Sequence, residues 1–166
     1  MKTSFNIRRA EASDIRAITA IYNEAILTTT ATFDTEIKTL AERMEWFNSH
    51  DERHPILVAV VEENVVGWSS LTKWSDRPAY DATAETSFYV DSRYRGRGIG
   101  RALKEAIIAE ARKLHYHTLI ARVADGSSES MHLNKEAGFL LVGTMKEVGK
   151  KFGRLLDVHI LQKMLD

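Results

Sequence analysis

The chain has 166 residues, enough for one domain with a substantial core and too few for two comfortable ones. Its 23 Lys and Arg balance its 23 Asp and Glu, so no global field draws it to nucleic acid or to an anionic membrane. It contains no cysteine, which excludes disulfides, thiolate zinc sites and a cysteine nucleophile.

No apolar run reaches the length of a membrane span. The start, Met1-Lys2-Thr3-Ser4-Phe5, lacks the apolar centre of a signal peptide. A cytoplasmic protein is expected, as one domain over residues 1–166.

Phe5-Asn6-Ile7-Arg8 alternates like a short edge strand. Ile15, Ile18, Ile21, Tyr22, Ala25 and Ile26 then fall on one helical stripe, which the β-branched run from Thr28 to Phe33 breaks. Thr39 and Glu42 have capping-box spacing and open a second helix through Trp46 and Phe47. Ile56-Leu57-Val58-Ala59-Val60-Val61 reads as a buried strand. Glu63-Asn64 turns it into a second strand, Val65-Val66-Gly67-Trp68-Ser69-Ser70-Leu71. Residues 73–83 are polar, carry Pro78 and read as a loop on which function can sit. A strand ending in Ser87-Phe88-Tyr89-Val90 follows, then a glycine-rich loop, then a long helix to about Leu114. Thr118 to Val123 is another strand. Asp125-Gly126-Ser127-Ser128 turns into a short helix that Gly138 ends, and two last strands are read at residues 139–143 and 156–161. The expected class is mixed α/β, with no internal repeat and no linker.

The loop Ser92-Arg93-Tyr94-Arg95-Gly96-Arg97-Gly98-Ile99-Gly100-Arg101 stands between a strand and a helix. That arrangement aims unpaired backbone N–H groups and the positive end of a helix dipole at one point, where phosphate is attracted. Arginines at 93, 95, 97 and 101 add charge, and glycines at 98 and 100 are expected to let phosphate approach the backbone. The G-x-G-x-G spacing is one residue too short for the dinucleotide fingerprint, and no Lys followed by Ser or Thr completes a P-loop.

The Arg-x-x-Gly-x-Gly spacing after a strand resembles the pyrophosphate loop of the GNAT family, the GCN5-related N-acetyltransferases. The order of elements matches that fold over nearly the whole chain. Within the family, three stretches resemble the phosphinothricin and methionine-sulfoximine N-acetyltransferases: Thr32-Phe33, the run from Ala79 to Val90, and Lys150-Lys151-Phe152-Gly153-Arg154-Leu155-Leu156-Asp157. The resemblance implies a central, mostly antiparallel sheet flanked by about four helices. It also implies acetyl-CoA as co-substrate, no metal, a small amino-acid-like acceptor and a homodimer whose shared region includes residues 151–157.

It further implies that Arg95, Gly96, Arg97, Gly98, Ile99, Gly100 and Arg101 grip the pyrophosphate. The backbone of Phe88, Tyr89 and Val90 is expected to pair with the pantetheine amides. Ser127 stands where many members carry a cofactor-binding asparagine, and Ser130 is a second candidate there. Strand alternation puts Glu85, Ser87 and Tyr89 on one face and Thr86, Phe88 and Val90 on the other. Glu85 matches the general base of the subfamily, a carboxylate able to take the ammonium proton. Candidate substrate contacts are Phe33, Ser75, Asp76, Arg77, Glu85, Thr86 and Ser87, with Arg77 as a bidentate carboxylate clamp. Asn134 occupies the position of the usual proton-donating tyrosine, and no general acid is assigned. His50, His54, His115 and His117 lack metal spacing. Competing readings are a GNAT enzyme acting on a protein N-terminus, a lysine or a polyamine, and a CoA-binding module without turnover.

Overall fold

The computed structural model describes residues 3–166; Met1 and Lys2, within the stretch read above for a leader, lie outside the described residues. In chain order the elements are β1 (Asn6–Arg9), α1 (Ile15–Thr28), α2 (Leu40–Asn48), β2 (Ile56–Val61), β3 (Asn64–Lys73), β4 (Thr83–Val90), α3 (Ile99–Lys113), β5 (Thr118–Ala124), α4 (Ser128–Glu136), β6 (Leu140–Lys151) and β7 (Arg154–Met164).

The seven strands form one sheet in the order β1-β2-β3-β4-β5-β7-β6. Every neighbouring pair is antiparallel except β4 and β5, whose connection is the crossover helix α3. This is the mostly antiparallel α/β sheet with four helices that the resemblance implied. The α1 stripe is buried as read, packing Ile18, Tyr22 and Ile26 against Val58 and Trp68 on one face of the sheet. On the other face α3 lays Leu103, Ile107 and Ala111 against Val66, Leu71 and Leu119.

Local chemistry accounts for the element ends. The Glu42 amide donates to the Thr39 hydroxyl, and the Glu42 carboxylate accepts the Thr39 amide at 2.7 Å, so the capping box forms. The β2–β3 turn falls at Glu62 and Glu63, one residue earlier than read. Both have positive φ (46° and 70°), the left-handed pair that matches the twist of a two-residue hairpin.

The last hairpin departs most from the sequence reading. β6 runs to Lys151 and β7 begins at Arg154, with Phe152 and Gly153 in the turn, both at positive φ. β6 is exposed along most of its length, so its residues carry no buried alternation to reveal a strand. It leaves Leu140, Leu141, Val142 and Val148 open to solvent, with Phe152 and Leu155 beside them.

Candidate active site

β4 and β5 run side by side only through the pairs Thr83–Thr118, Ala84–Leu119 and Glu85–Ile120, and then part. Residues 86–90 of β4 remain bonded to β3 on one side, but on the other they present a strand edge with no partner among the described residues. That gap widens into a cleft of about 550 Å³, walled by β4, β5, the glycine loop, the first turns of α3, the length of α4 and the C-terminal half of α1.

The loop closes one end of the cleft. Gly96 and Gly98 have φ of +71° and +84°, a conformation that L side chains rarely adopt. The first hydrogen bond of α3 runs from the Ala102 amide to the Gly98 carbonyl at 3.0 Å. Among the described residues, no backbone amide of residues 95–101 donates to a protein acceptor, so a row of free donors surrounds the helix N-terminus. Among the described residues, a Cβ on Gly96 or Gly98 would meet nothing within 4 Å, so both glycines face open space. Gly100 differs from expectation: its Cβ would press on Leu133 at 3.2 Å and Phe88 at 3.4 Å, so this glycine lets α4 and β4 close on α3.

The arginines divide the work. Arg95 and Arg101 line the cleft. Arg97 donates to the Arg93 carbonyl at 3.1 Å and lies over the Tyr94 ring, while Arg101 pairs with Glu105 at 3.1 Å. Arg93 folds back onto Asp91 at 2.7 Å and holds that carboxyl below its usual range, so it serves the turn.

Across the cleft, Ser127 precedes α4 and its carbonyl accepts the Met131 amide at 3.0 Å. Ser130 accepts the Asn134 side-chain amide at its carbonyl, 2.8 Å away. Asn134 Oδ1 is buried and has no hydrogen-bond partner among the described residues. Beneath β4 lies Lys104 of α3, 1% exposed, whose Nζ donates to Thr86 Oγ1 at 2.6 Å. Burial pushes this amine down to about 7.

β4 alternates as read. Thr86 faces α3, while Tyr89 faces α1, its ring 5.3 Å from Tyr22 and 4.9 Å from Trp68. Glu85 shares the Tyr89 face, at the last pair before the strands part. Both its oxygens are taken: Arg122 of β5 donates Nε to Oε2 at 2.6 Å and Nη2 to Oε1 at 2.8 Å. The carboxylate holds the guanidinium above its ordinary value. Thr86, Ser87, Phe88, Tyr89 and Val90 line the cleft together with Ser127 and Ser130. Ser75, Asp76 and Arg77 sit on the exposed loop between β3 and β4, outside the cleft wall; the Ser75 hydroxyl accepts the Arg77 amide at 3.3 Å and Asp76 pairs with Lys73 at 3.6 Å. Phe33 covers Gly149 of β6, where a Cβ would run into its ring.

Two polar residues of the site escaped the sequence reading although each left a signal. Arg122 is the one charge in the strand Thr-Leu-Ile-Ala-Arg-Val-Ala of β5. Lys104 falls on the same α3 face as Ile107, Ile108 and Ala111, where a stripe residue should be apolar. Among the described residues no three His, Cys, Asp or Glu side chains gather as a metal site would require.

A nucleotide-bearing thioester such as acetyl-CoA suits these features. The free amides and open glycines fit its pyrophosphate, and the unpaired β4 edge fits an extended chain of amides. Fold and site together suit an acyltransferase that uses such a donor. Residues 7–160 match the acetyltransferase (GNAT) domain, and the chain belongs to the GNAT acetyltransferase family.

The chain is 38% identical to the L-methionine sulfoximine/L-methionine sulfone acetyltransferase of Pseudomonas aeruginosa, over 98% of this chain and 96% of that one. Among solved structures, the phosphinothricin acetyltransferase of Sinorhizobium meliloti in complex with acetyl-CoA superposes with a TM-score of 0.94 at 33% identity, covering 99% of this chain and 89% of that one. The ribosomal-protein-alanine N-acetyltransferase of Brucella melitensis superposes with a TM-score of 0.93 at 39% identity, covering 96% and 99%.

Proposed function

We propose that this enzyme acetylates the α-amine of a small free amino acid or amino-acid analogue, of the methionine sulfone, methionine sulfoximine or phosphinothricin type. The observation that carries the reading is the Glu85 carboxylate at the parting of β4 and β5, beside the free strand edge. Bound acetyl-CoA supplies the activated acyl group as a thioester. The amides of residues 95–101, with Arg95, hold the pyrophosphate, and the β4 backbone from Phe88 to Val90 orients the arm along the cleft. Ser127 and Ser130 supply hydroxyls on the opposite wall. Glu85 takes the ammonium proton at a carboxylate oxygen, directly or through a water, and leaves the amine lone pair free to form the amide C–N bond; the thioester C–S bond would then break, and coenzyme A would leave as its thiolate and take up the nitrogen's second proton. Thr86 and Ser87 lie nearest that point along β4. Phe33, Ser75, Asp76 and Arg77 supply the outer acceptor surface.

The exposed apolar side chains of the β6–β7 hairpin support assembly as a homodimer. The cytoplasm, where acetyl-CoA is supplied, is the place of work; no helix among the described residues is long and apolar enough to cross a membrane.

The superposition on a ribosomal-protein-alanine N-acetyltransferase favours one rival, a protein N-terminus as acceptor. Thiol release from acetyl-CoA decides between them. Methionine sulfone, methionine sulfoximine and phosphinothricin are expected to turn over, with an alanine-terminated peptide and spermidine inert. A preference for the peptide would replace the present reading with the rival.

A further inference from the structure

The Glu85–Arg122 pair poses a chemical problem for that reading, on which this inference rests. A base must present a lone pair to the incoming ammonium, yet each Glu85 oxygen accepts from one guanidinium nitrogen, at 2.6 and 2.8 Å. The pair bridges the opening of the sheet: Glu85 is opposite Ile120, and Arg122 stands two residues further along β5 on the same face. Its two members differ in access. The Glu85 side chain is 14% exposed and that of Arg122 53%, so the guanidinium is the member that solution reaches first. Arg122 also lines the cleft, and its Cζ lies 5.9 Å from the Trp74 ring.

We propose that Arg122 is the carboxylate receptor of the acceptor site, and that its change of partner from Glu85 to the substrate carboxylate frees the base. The planar fork that binds Glu85 bidentately binds any carboxylate in the same way. The exchange therefore replaces two charge-assisted hydrogen bonds with two of the same kind. An α-amino acid carries its ammonium on the carbon next to the carboxylate. Once the carboxylate sits on Arg122, the ammonium lies beside the Glu85 oxygens that Arg122 has just released, and one proton moves from nitrogen to Glu85. A bare amine meets a worse choice. It must leave Glu85 engaged, or strip Arg122 of its partner with nothing to replace it. Recognition of the acid group and release of the base thus become one event, and Arg122 takes the clamp role read from sequence for Arg77.

The test compares L-methionine sulfone with its decarboxylated amine, 3-(methylsulfonyl)propylamine, in wild type, Arg122→Met, Arg122→Lys and Arg77→Met. Wild type is expected to favour the amino acid by about 10²-fold in kcat/KM. In Arg122→Met that preference should collapse to within about threefold: KM for the amino acid rises, while kcat/KM for the amine rises as Glu85 is released. Arg122→Lys should keep only part of the preference, since a point charge does not reproduce the fork. Calorimetry without acetyl-CoA gives a second readout, with methionine sulfone binding roughly 10- to 100-fold more weakly to Arg122→Met. Unchanged affinity for coenzyme A certifies that the variants are folded.

Retention of the preference in Arg122→Met overturns the proposal, as does a parallel loss on both substrates. Collapse of the preference in Arg77→Met alone returns the receptor role to Arg77 and overturns it too. If wild type acetylates only the bare amine, the amino-acid reading itself fails and takes the proposal with it. Acetylation of amino acids with Arg122 silent overturns the proposal alone.

Discussion

Lys104 Nζ and Thr86 Oγ1 lie 2.6 Å apart, joining the second turn of α3 to the β4 strand. The amine is otherwise surrounded by aromatic rings, 4.1 Å from the centre of Phe139 and 5.8 Å from that of Phe88, and no carboxylate pairs with it among the described residues. Burial alone drives it down from 10.5 to about 7. In the unfolded chain the same amine titrates near its ordinary value. Below about pH 7 both states carry the proton, and the folded state bears the full cost of burying a charge. Between about 7 and 10.5 the unfolded chain holds more protons, so stability rises with pH and the cost fades.

Lys104→Met should therefore stabilise the protein most at low pH. A gain of about 2–4 kcal/mol is expected at pH 6, or roughly 5–15 °C in Tm, shrinking steadily towards pH 10. Thermal unfolding at several pH values measures it. A gain independent of pH would mean that the Lys104 charge is well solvated in the folded protein.

The glycine loop gives a second expectation, in which its glycines behave differently. At Gly98 any side chain is strained by the φ of +84° and points into the open space that a phosphate would fill. Gly98→Val should weaken coenzyme A binding by at least about 100-fold in calorimetry, with a stability cost of only about 1–2 kcal/mol. Gly100→Val should act through packing, because its Cβ meets Leu133 and Phe88. Its larger effect should be on Tm. Equal affinity in a folded Gly98→Val protein would remove the loop from the binding site.

What the sequence made legible follows the physical strength of each signal. Thr39 with Glu42, the α1 stripe and the all-apolar β2 run are local patterns that tertiary contacts reinforce, and each formed as read. The length of β6 was not legible, because an exposed strand carries no buried alternation. The parting of β4 from β5 after Glu85 was invisible for another reason. It depends on register between strands separated by α3, and no single stretch encodes it. The Arg122 contact belongs to the same class. A lone arginine in β5 signals a partner, but only the Glu85–Ile120 register says which one.

The β6–β7 hairpin leads to a prediction about assembly. Val148 and Leu155 are 54% and 58% exposed on neighbouring strands, and Phe152 at the turn is 55% exposed. Exposed apolar side chains grouped in this way mark an interaction site, and the proposed homodimer would cover this one. Wild type should sediment as a dimer, and the double change Val148→Glu, Leu155→Glu should yield a monomer, since burying two carboxylates without partners costs far more than the contact gains. A wild-type monomer at micromolar concentration would exclude the hairpin as a dimer surface.

The last prediction concerns Glu85 itself. Glu85→Gln keeps the shape of the side chain but removes the proton acceptor, and its amide nitrogen meets the Arg122 donors. If Glu85 is the base, kcat should fall by roughly 10²–10⁴ at neutral pH, with coenzyme A affinity unchanged. The loss should shrink as pH rises, because an acceptor amine that has already lost its proton needs no base. The Arg122 variants make the complementary case, changing KM for the amino acid while leaving the Glu85 carboxylate in place to take the proton. A pH–rate profile of wild type, Glu85→Gln and Arg122→Met on methionine sulfone separates the two roles. A Glu85→Gln enzyme with near-normal kcat at neutral pH would leave Glu85 as the partner that orients Arg122 and nothing more.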